Sequence, residues 1–358
     1  MSAPLTRSRA FCDAHGLEVP ILMAPMAGAS PPALAAAVAG AGGMGGCGAL
    51  AMPPQAIHEW MQEFRTRAAG PVQLNLWVPD PPPARDPARE ARLCDFLARW
   101  GPKPEPPDDA ACIDFEAQCD ALLVARPDAI SSIMGLYPAR MIAAMRARAI
   151  PWFATATTLA EARAAEAAGA DAIIAQGSEA GGHRGAFEAA KAGERAVGLF
   201  ALVPAIADAV RVPVIAAGGI ADARGVAAAL QLGAAAVMLG TAFLRSLEAG
   251  IAPTWAQGLA GAAPEDTTLT RALSGRLARS LRTGYVAAAA DPGAPAPAPY
   301  PVQRALTAPM RAAAAERGEL AGMQAWAGQS AARAREEPAG QIVTALWEGA
   351  RDLLAGAR

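Results

Sequence analysis

His183 is the residue in this chain best placed to do chemistry. It lies in Gly181-Gly182-His183-Arg184-Gly185, a loop with almost no side-chain bulk around it, so the imidazole can reach outward as general base, general acid or anion partner. The plainer alternative is a histidine that only orders a flexible loop. Asn75 and Gln176 are polar tips on otherwise apolar runs. A carboxamide donates and accepts, as the edge of a planar heterocycle requires, although either residue could equally satisfy nearby backbone. Met26, in Ala24-Pro25-Met26, follows a proline-fixed turn and can lie flat against a ring or simply pack. Glu179 either supports His183 or solvates its loop. His15 and His58 fall in an N-terminal loop and a helix and are read as structural.

Two glycine turns belong with these residues. Gly218-Gly219 follows the apolar run Val214–Ala217, and Gly240-Thr241 follows Ala236–Leu239. Glycine lets backbone N–H groups approach an oxyanion closely, the next helix N-terminus favours negative charge, and the Thr241 hydroxyl adds a donor. One such turn means little, since glycine often just ends a strand; two in successive units point to a phosphate site. No Gly-x-x-x-x-Gly-Lys-Ser/Thr loop occurs. The phosphate therefore belongs to a cofactor or substrate that is bound and not hydrolysed as a nucleotide.

The elements that must position these residues alternate. Short apolar runs at Ile21–Ala24, Met44–Cys47, Val72–Leu76, Ala129–Ile133, Trp152–Ala156, Ala172–Gln176, Val214–Ala217 and Ala236–Leu239 are separated by helical stretches. The helix Leu159–Ala168 has Thr158 as its N-cap and Gly169 as its stop. Eight such units predict an α/β fold, a TIM-type (β/α)₈ barrel, which takes about 250 residues before insertions. A doubly wound open sheet alternates in the same way. In the barrel the residues singled out above, His15 and His58 apart, fall at the C-terminal ends of the strands, where barrel enzymes keep their sites.

Residues 1–243 are thus expected to form the barrel, with an excursion at 78–113 that holds a helical island near Ala88–Arg99. Residues 244–332, interrupted by the extended run Asp291–Tyr300, are expected to form a helical subdomain without strands on the substrate side. Residues 333–358, with Leu346, Trp347, Leu353 and Leu354, read as a C-terminal helix packing back on the barrel.

Composition narrows the function. The hydrophobic fraction is 53% against 18% charged residues, enough for a large core, and a net charge of −2 gives no footprint for nucleic acid. No run of about 18 apolar residues free of charges or breakers suggests a membrane span. Arg7 and Arg9 are not followed by an apolar stretch, so no secretory signal is expected. Cys12, Cys47, Cys94, Cys112 and Cys119 lack metal-ligand spacing and are expected to be reduced thiols in a cytoplasmic protein, with no metal.

The stretch Gln176-Gly177-Ser178-Glu179-Ala180-Gly181-Gly182-His183-Arg184-Gly185 strongly resembles the nitronate monooxygenases, formerly called 2-nitropropane dioxygenases. Ala24-Pro25-Met26, Gln73-Leu74-Asn75-Leu76-Trp77, Ala217-Gly218-Gly219-Ile220, Leu239-Gly240-Thr241, Ser274-Gly275-Arg276-Leu277-Ala278-Arg279 and Trp326-Ala327-Gly328-Gln329 fit the same family in order, over about residues 15 to 335. FMN-dependent enoyl-acyl-carrier-protein reductases share part of the pattern.

The resemblance implies non-covalent FMN in a TIM-type barrel with a helical substrate domain. Ala24, Pro25, Met26, Asn75 and Gln176 would contact the isoalloxazine. Gly181, Gly182, Gly218, Gly219, Gly240 and Thr241 would hold the ribityl phosphate, and His183 would be catalytic, facing the substrate. The substrate pocket would draw on Met26, Ser132, Tyr300 and Arg304. Where the family has an aromatic and lysine pattern, this chain has Tyr300 and Arg304, which leaves the preferred substrate open more than the reaction. That reaction is oxidation of an anionic alkyl nitronate by O₂ to a carbonyl compound and nitrite through a flavin semiquinone, in a monomer or homodimer. A cationic or hydrogen-donating His183 would attract the nitronate, and a neutral His183 would extend the reaction to nitroalkanes by removing the α-proton. The alternatives are an NAD(P)H- and FMN-dependent enoyl-thioester reductase and a non-catalytic flavin-binding protein.

Overall fold

A computed structural model describes residues 2–107 and 113–356. Residues 108–112 of the expected 78–113 excursion, Cys112 among them, and residues 357–358 therefore lie outside the described residues. Eight parallel strands form one sheet: β1 (Ile21–Met23), β2 (Gly45–Gly48), β3 (Val72–Trp77), β4 (Ala129–Ile133), β5 (Trp152–Ala156), β6 (Ala172–Gln176), β8 (Val214–Ala217) and β9 (Ala236–Leu239). Their order, β1-β9-β8-β6-β5-β4-β3-β2, closes because Leu22 bridges Met44 just before β2. The Met23 and Met44 amides donate to Met44 O at 2.9 Å and Ile21 O at 3.0 Å. The barrel is therefore closed, and the open-sheet alternative falls.

The helices are stopped where local chemistry dictates. Thr158 accepts from the Glu161 amide at the start of helix Leu159–Ala168, and Gly169 ends it in the left-handed region at φ +100°. Side chains alternate along each strand, so one set fills the lumen and the other meets the helices. Leu22, Met44, Phe153, Ile174, Ile215 and Met238 pack the lumen as a distinct cluster. The N-terminal helix Ala3–His15 plugs its lower end. Phe11 lies 6.2 Å from the Phe153 ring and His15 meets that ring edge-on at 5.1 Å, while Arg7 donates to Ala234 O and Leu230 O.

The region after residue 244 differs from the sequence-based expectation. It does contain helices, Pro253–Ala260 and Ala308–Arg317 among them, but also the strands β10 (Thr267–Thr270) and β11 (Ala278–Leu281). These pair antiparallel, and β11 pairs further with β7 (Gly182–His183) in the loop after β6, in the order β10-β11-β7. Strands of four residues, and of two in β7, which lies far ahead of β11 in the chain, leave no periodicity long enough to read. Helix Pro87–Leu97 of the excursion joins the same region: Leu93 and Leu97 share a core with Leu273, Tyr285, Val302, Leu306 and Met310. Buried Glu90 there is held by both oxygens to Arg85, at 2.7 and 2.6 Å. The helix Ala339–Gly356 lies against helices Ala223–Gln231 and Pro32–Gly40.

Candidate active site

One cavity opens at the C-terminal ends of the barrel strands. Alternation aims Asn75 and Trp77 of β3, Ser131 and Ile133 of β4, and Ile174 and Gln176 of β6 into it. Ala24, Pro25 and Met26 line it, as do Gly181, Gly182 and His183, then Gly218, Gly219, Gly240 and Thr241, and Arg304. The structure thus gathers nearly all of the sequence-derived residues around one space.

Two do not belong to its wall. Ser132 points the other way, because it is the odd neighbour of Ser131 on β4; its hydroxyl accepts from Trp152 Nε1 at 2.9 Å, fully buried. That corrects its assignment to the pocket. Tyr300 is off the wall as well, its ring resting against Trp77 at 5.5 Å.

The glycine turns are shaped by space as much as by conformation. A Cβ built on Gly181 would stand 2.5 Å from Gly328 N, 2.7 Å from Ala327 C and 3.0 Å from Thr241 Oγ1. Gly181 is therefore pressed against the segment Trp326–Ser330, which crosses the glycine turns as a strap. Gly328 N donates to Thr241 Oγ1 at 3.0 Å, Gln329 N to Glu179 O at 3.0 Å, and Ser330 Oγ to Gly219 O at 2.5 Å. Gly182 is the opposite case: a Cβ would meet nothing within 4 Å, but φ is +74°, where side chains are disfavoured.

His183 is fixed on four sides. Its ring meets Trp77 at 4.6 Å and Trp326 at 4.9 Å, both near edge-on, and its Nε2 lies 2.7 Å from Ser274 Oγ. Its carbonyl accepts from Gln176 Nε2 at 2.9 Å, while Gln176 Oε1 accepts from Gly185 N at 2.8 Å. Gln176 thus spends one donor and its acceptor in clamping the histidine loop, and only its second amide proton remains for a ligand. Beneath the loop, buried Arg184 donates to Gly177 O at 2.5 Å and Gln176 O at 3.2 Å. Glu179 neither solvates the loop nor touches His183. Both its oxygens accept from Leu199 N, at 2.8 and 3.0 Å, holding the first turn of helix Leu199–Ala207.

The electrostatics favour a neutral imidazole. Burial, and then the cations Arg276, Arg304 and Arg311, push the His183 pKa down to about 3. Arg276 is itself tied down, 3.4 Å from Asp80 and donating to Ala186 O. Arg311 is held by Gln324 Oε1 at 3.0 Å and Arg304 O at 3.0 Å. No carboxylate among the described residues pairs with Arg304, whose charge is therefore unpaired on the cavity wall. Neither Ser274 nor the two indoles were singled out by type from the sequence. Each stood in a segment matching the family, but only the meeting of β11 with β7 shows that they surround the imidazole.

Comparisons with known proteins agree with this geometry. A family model described as nitronate monooxygenase matches residues 8–349. The chain is 42% identical over 348 residues to a nitronate monooxygenase of Paraburkholderia phytofirmans, covering 95% of this chain and 94% of that one. It is 40% identical to one of Pseudomonas aeruginosa, covering 95% and 99%. Among solved structures, nitroalkane oxidase from Streptomyces ansochromogenes aligns with a TM-score of 0.90 at 37% identity, over 98% of this chain and 100% of that one. FabK from Thermotoga maritima aligns at 0.74 and 28%, over 97% of each. Matched from end to end at these identities, this histidine-bearing (β/α)₈ barrel belongs to the nitronate monooxygenase family of flavin-dependent oxidoreductases.

Proposed function

We propose that the cavity holds FMN and that the enzyme uses O₂ to oxidise small anionic alkyl nitronates to a carbonyl compound and nitrite. The observation that carries this reading is a neutral imidazole near an unpaired cation, Arg304, in a cavity that is also lined by glycine turns.

The residues fit the cofactor. Gly182, Gly218 and Gly219 all have left-handed φ, +74°, +121° and +67°, which only glycine adopts freely and which turns backbone amides toward a phosphate. Thr241 Oγ1 already accepts from Gly328 N, so its own proton is free to donate to the phosphate. At the ring edge, Asn75 donates one amide proton to Ser131 Oγ at 3.0 Å and keeps its oxygen and second proton. Trp255 Nε1, on the cavity wall, is buried with no partner among the described residues, as expected of a donor awaiting a ligand acceptor. When bound, the flavin supplies the redox chemistry, and the chain supplies position and field.

Arg304 attracts and orients the nitronate. His183, neutral above about pH 3, offers no charge to an anion and is a weak base for a neutral C–H. Nitronates, which have already lost the α-proton, are therefore the better substrates. A nitroalkane can still be deprotonated, because the anion formed next to the imidazolium stabilises it, but more slowly. The test is aerobic turnover of propionate 3-nitronate by the FMN-loaded enzyme, following O₂ and nitrite, with anaerobic NAD(P)H as the competing reductant. Nitrite release with little flavin bleaching by NAD(P)H supports the reading; rapid bleaching without nitronate turnover refutes it in favour of a reductase.

A further inference from the structure

We propose that Ser274 is a positioning residue that fixes the protonation pattern of His183, so that the ring carries its proton on Nε2 and presents the Nδ1 lone pair to the cavity. The inference rests on the reading of His183 as the proton acceptor for neutral substrates. Its starting point is a count of protons. Ser274 is buried in the turn between β10 and β11, and its hydroxyl has one proton and two close neighbours. One is the Arg276 carbonyl at 3.2 Å, which can only accept; the other is His183 Nε2 at 2.7 Å.

If the serine proton went to Nε2, the Arg276 carbonyl would lose the only hydrogen bond that a described residue gives it. If it goes to the carbonyl, both contacts are satisfied, because Nε2–H then donates to the serine oxygen. The second arrangement leaves neither the Arg276 carbonyl nor Nε2 unpaired, and an unpaired buried acceptor is costly. His183 lines the cavity, and Nδ1 has no hydrogen-bond partner among the described residues. It is therefore the nitrogen available to a ligand. A lone pair there accepts a proton but repels nitronate oxygens, so those oxygens turn toward Arg304 and the carbon toward the imidazole.

The proton position is read directly by ¹⁵N–¹H correlation spectra of histidine-labelled, FMN-loaded enzyme, with His183→Asn assigning the signal. Wild type is expected to show the Nε2–H pattern with a slowly exchanging proton. Ser274→Ala should lose that slow exchange, and Ser274→Thr, which keeps the hydroxyl, should restore it. In parallel, the ratio of nitroalkane to nitronate kcat should fall about tenfold in Ser274→Ala, a fraction of what a positioned general base contributes, and recover in the threonine variant. An Nδ1–H pattern in wild type overturns the proposal by itself, whether or not the variants fold. An unchanged exchange rate and kcat ratio in folded Ser274→Ala overturns it too. Because the spectra need no substrate, failure of the enzyme to turn over nitronates would remove the functional reading and leave the proton assignment standing.

Discussion

Gly181 and Gly182 are adjacent glycines that should fail for different reasons. In Gly181→Ala the new methyl would lie 2.5 Å from Gly328 N and 2.7 Å from Ala327 C, against an ordinary contact of 3.4–4 Å, so the strap Trp326–Ser330 must retreat by about an ångström. Overpacking of this kind costs about 1–3 kcal/mol. The strap holds Thr241 Oγ1 and Gly219 O, both at the proposed phosphate end, so much of that cost should appear in cofactor binding. Converted to affinity, it weakens FMN binding by about 5- to 150-fold. In Gly182→Ala the methyl meets nothing within 4 Å, but φ +74° strains any side chain by about 1–2 kcal/mol. That strain belongs to the folded chain with or without ligand, so it should lower stability in urea and leave FMN affinity nearly unchanged. Titrating apo-protein with FMN by flavin fluorescence, alongside urea unfolding of each variant, separates the two. FMN binding by Gly181→Ala within twofold of wild type would refute the claim that the strap shapes the phosphate end.

Three further outcomes follow from the site. Arg304→Met should raise KM for nitronates about tenfold, equivalent to ~1.4 kcal/mol of lost binding, and steady-state kinetics with an anionic and a neutral substrate should show the loss mainly for the anion. Gln176→Leu removes the clamp on His183 O and Gly185 N; with two buried groups left unpaired, unfolding free energy should fall by about 2–4 kcal/mol, measured in urea. The pH dependence has a definite sign. Native His183 stays neutral down to about pH 3, whereas the unfolded imidazole takes a proton near 6.5, so between those values the unfolded state binds more protons. Stability contributed by this site is present above 6.5 and declines as pH falls toward 3, and His183→Asn should flatten that part of a urea-midpoint-against-pH curve. The cations that act on the ring are Arg276, Arg304 and Arg311, and Asp80 pairs with Arg276.

The barrel was legible because each strand is a short apolar run bounded by glycine, proline or a capping residue, and because a closed barrel puts all its strand ends at one rim. His183, Asn75 and the paired glycine turns could therefore be placed together from their position after strands. Ser132 was misplaced because the side a strand residue faces depends on register, and a shift of one position reverses it. The three-stranded sheet was illegible for a different reason. β7 is two residues long, and its pairing with β11 spans ninety-odd positions, so no local pattern announces it. By type Gln176 suits either a ring contact or nearby backbone, and its geometry shows most of its hydrogen bonding spent on backbone.

The short strand β11 explains how a barrel rim becomes an active site. Through its pairing with β10 it presents the turn that bears Ser274; through Ala278 and Arg279 it pairs with His183 and Gly182; through Ser280 it bridges Trp326. Arg279 strengthens the join, donating to Ser178 O at 2.9 Å in the loop after β6. One element thus sets the imidazole's hydrogen-bond partner and one of its aromatic walls at once. The glycine turns after β8 and β9 belong to the barrel itself and do not depend on β11 for their conformation. Cofactor grip and imidazole placement are therefore separable by design of the chain. A change that unpairs β11 from β7, such as Arg279→Pro, which removes the backbone donor opposite Gly182 together with the guanidinium bond to Ser178 O, should leave a yellow, FMN-binding barrel with poorly ordered His183 and little turnover of neutral nitroalkanes. If such a variant lost FMN and fold together, the rim and the appended segment would be one cooperative unit, and the separation argued from their connectivity would be wrong.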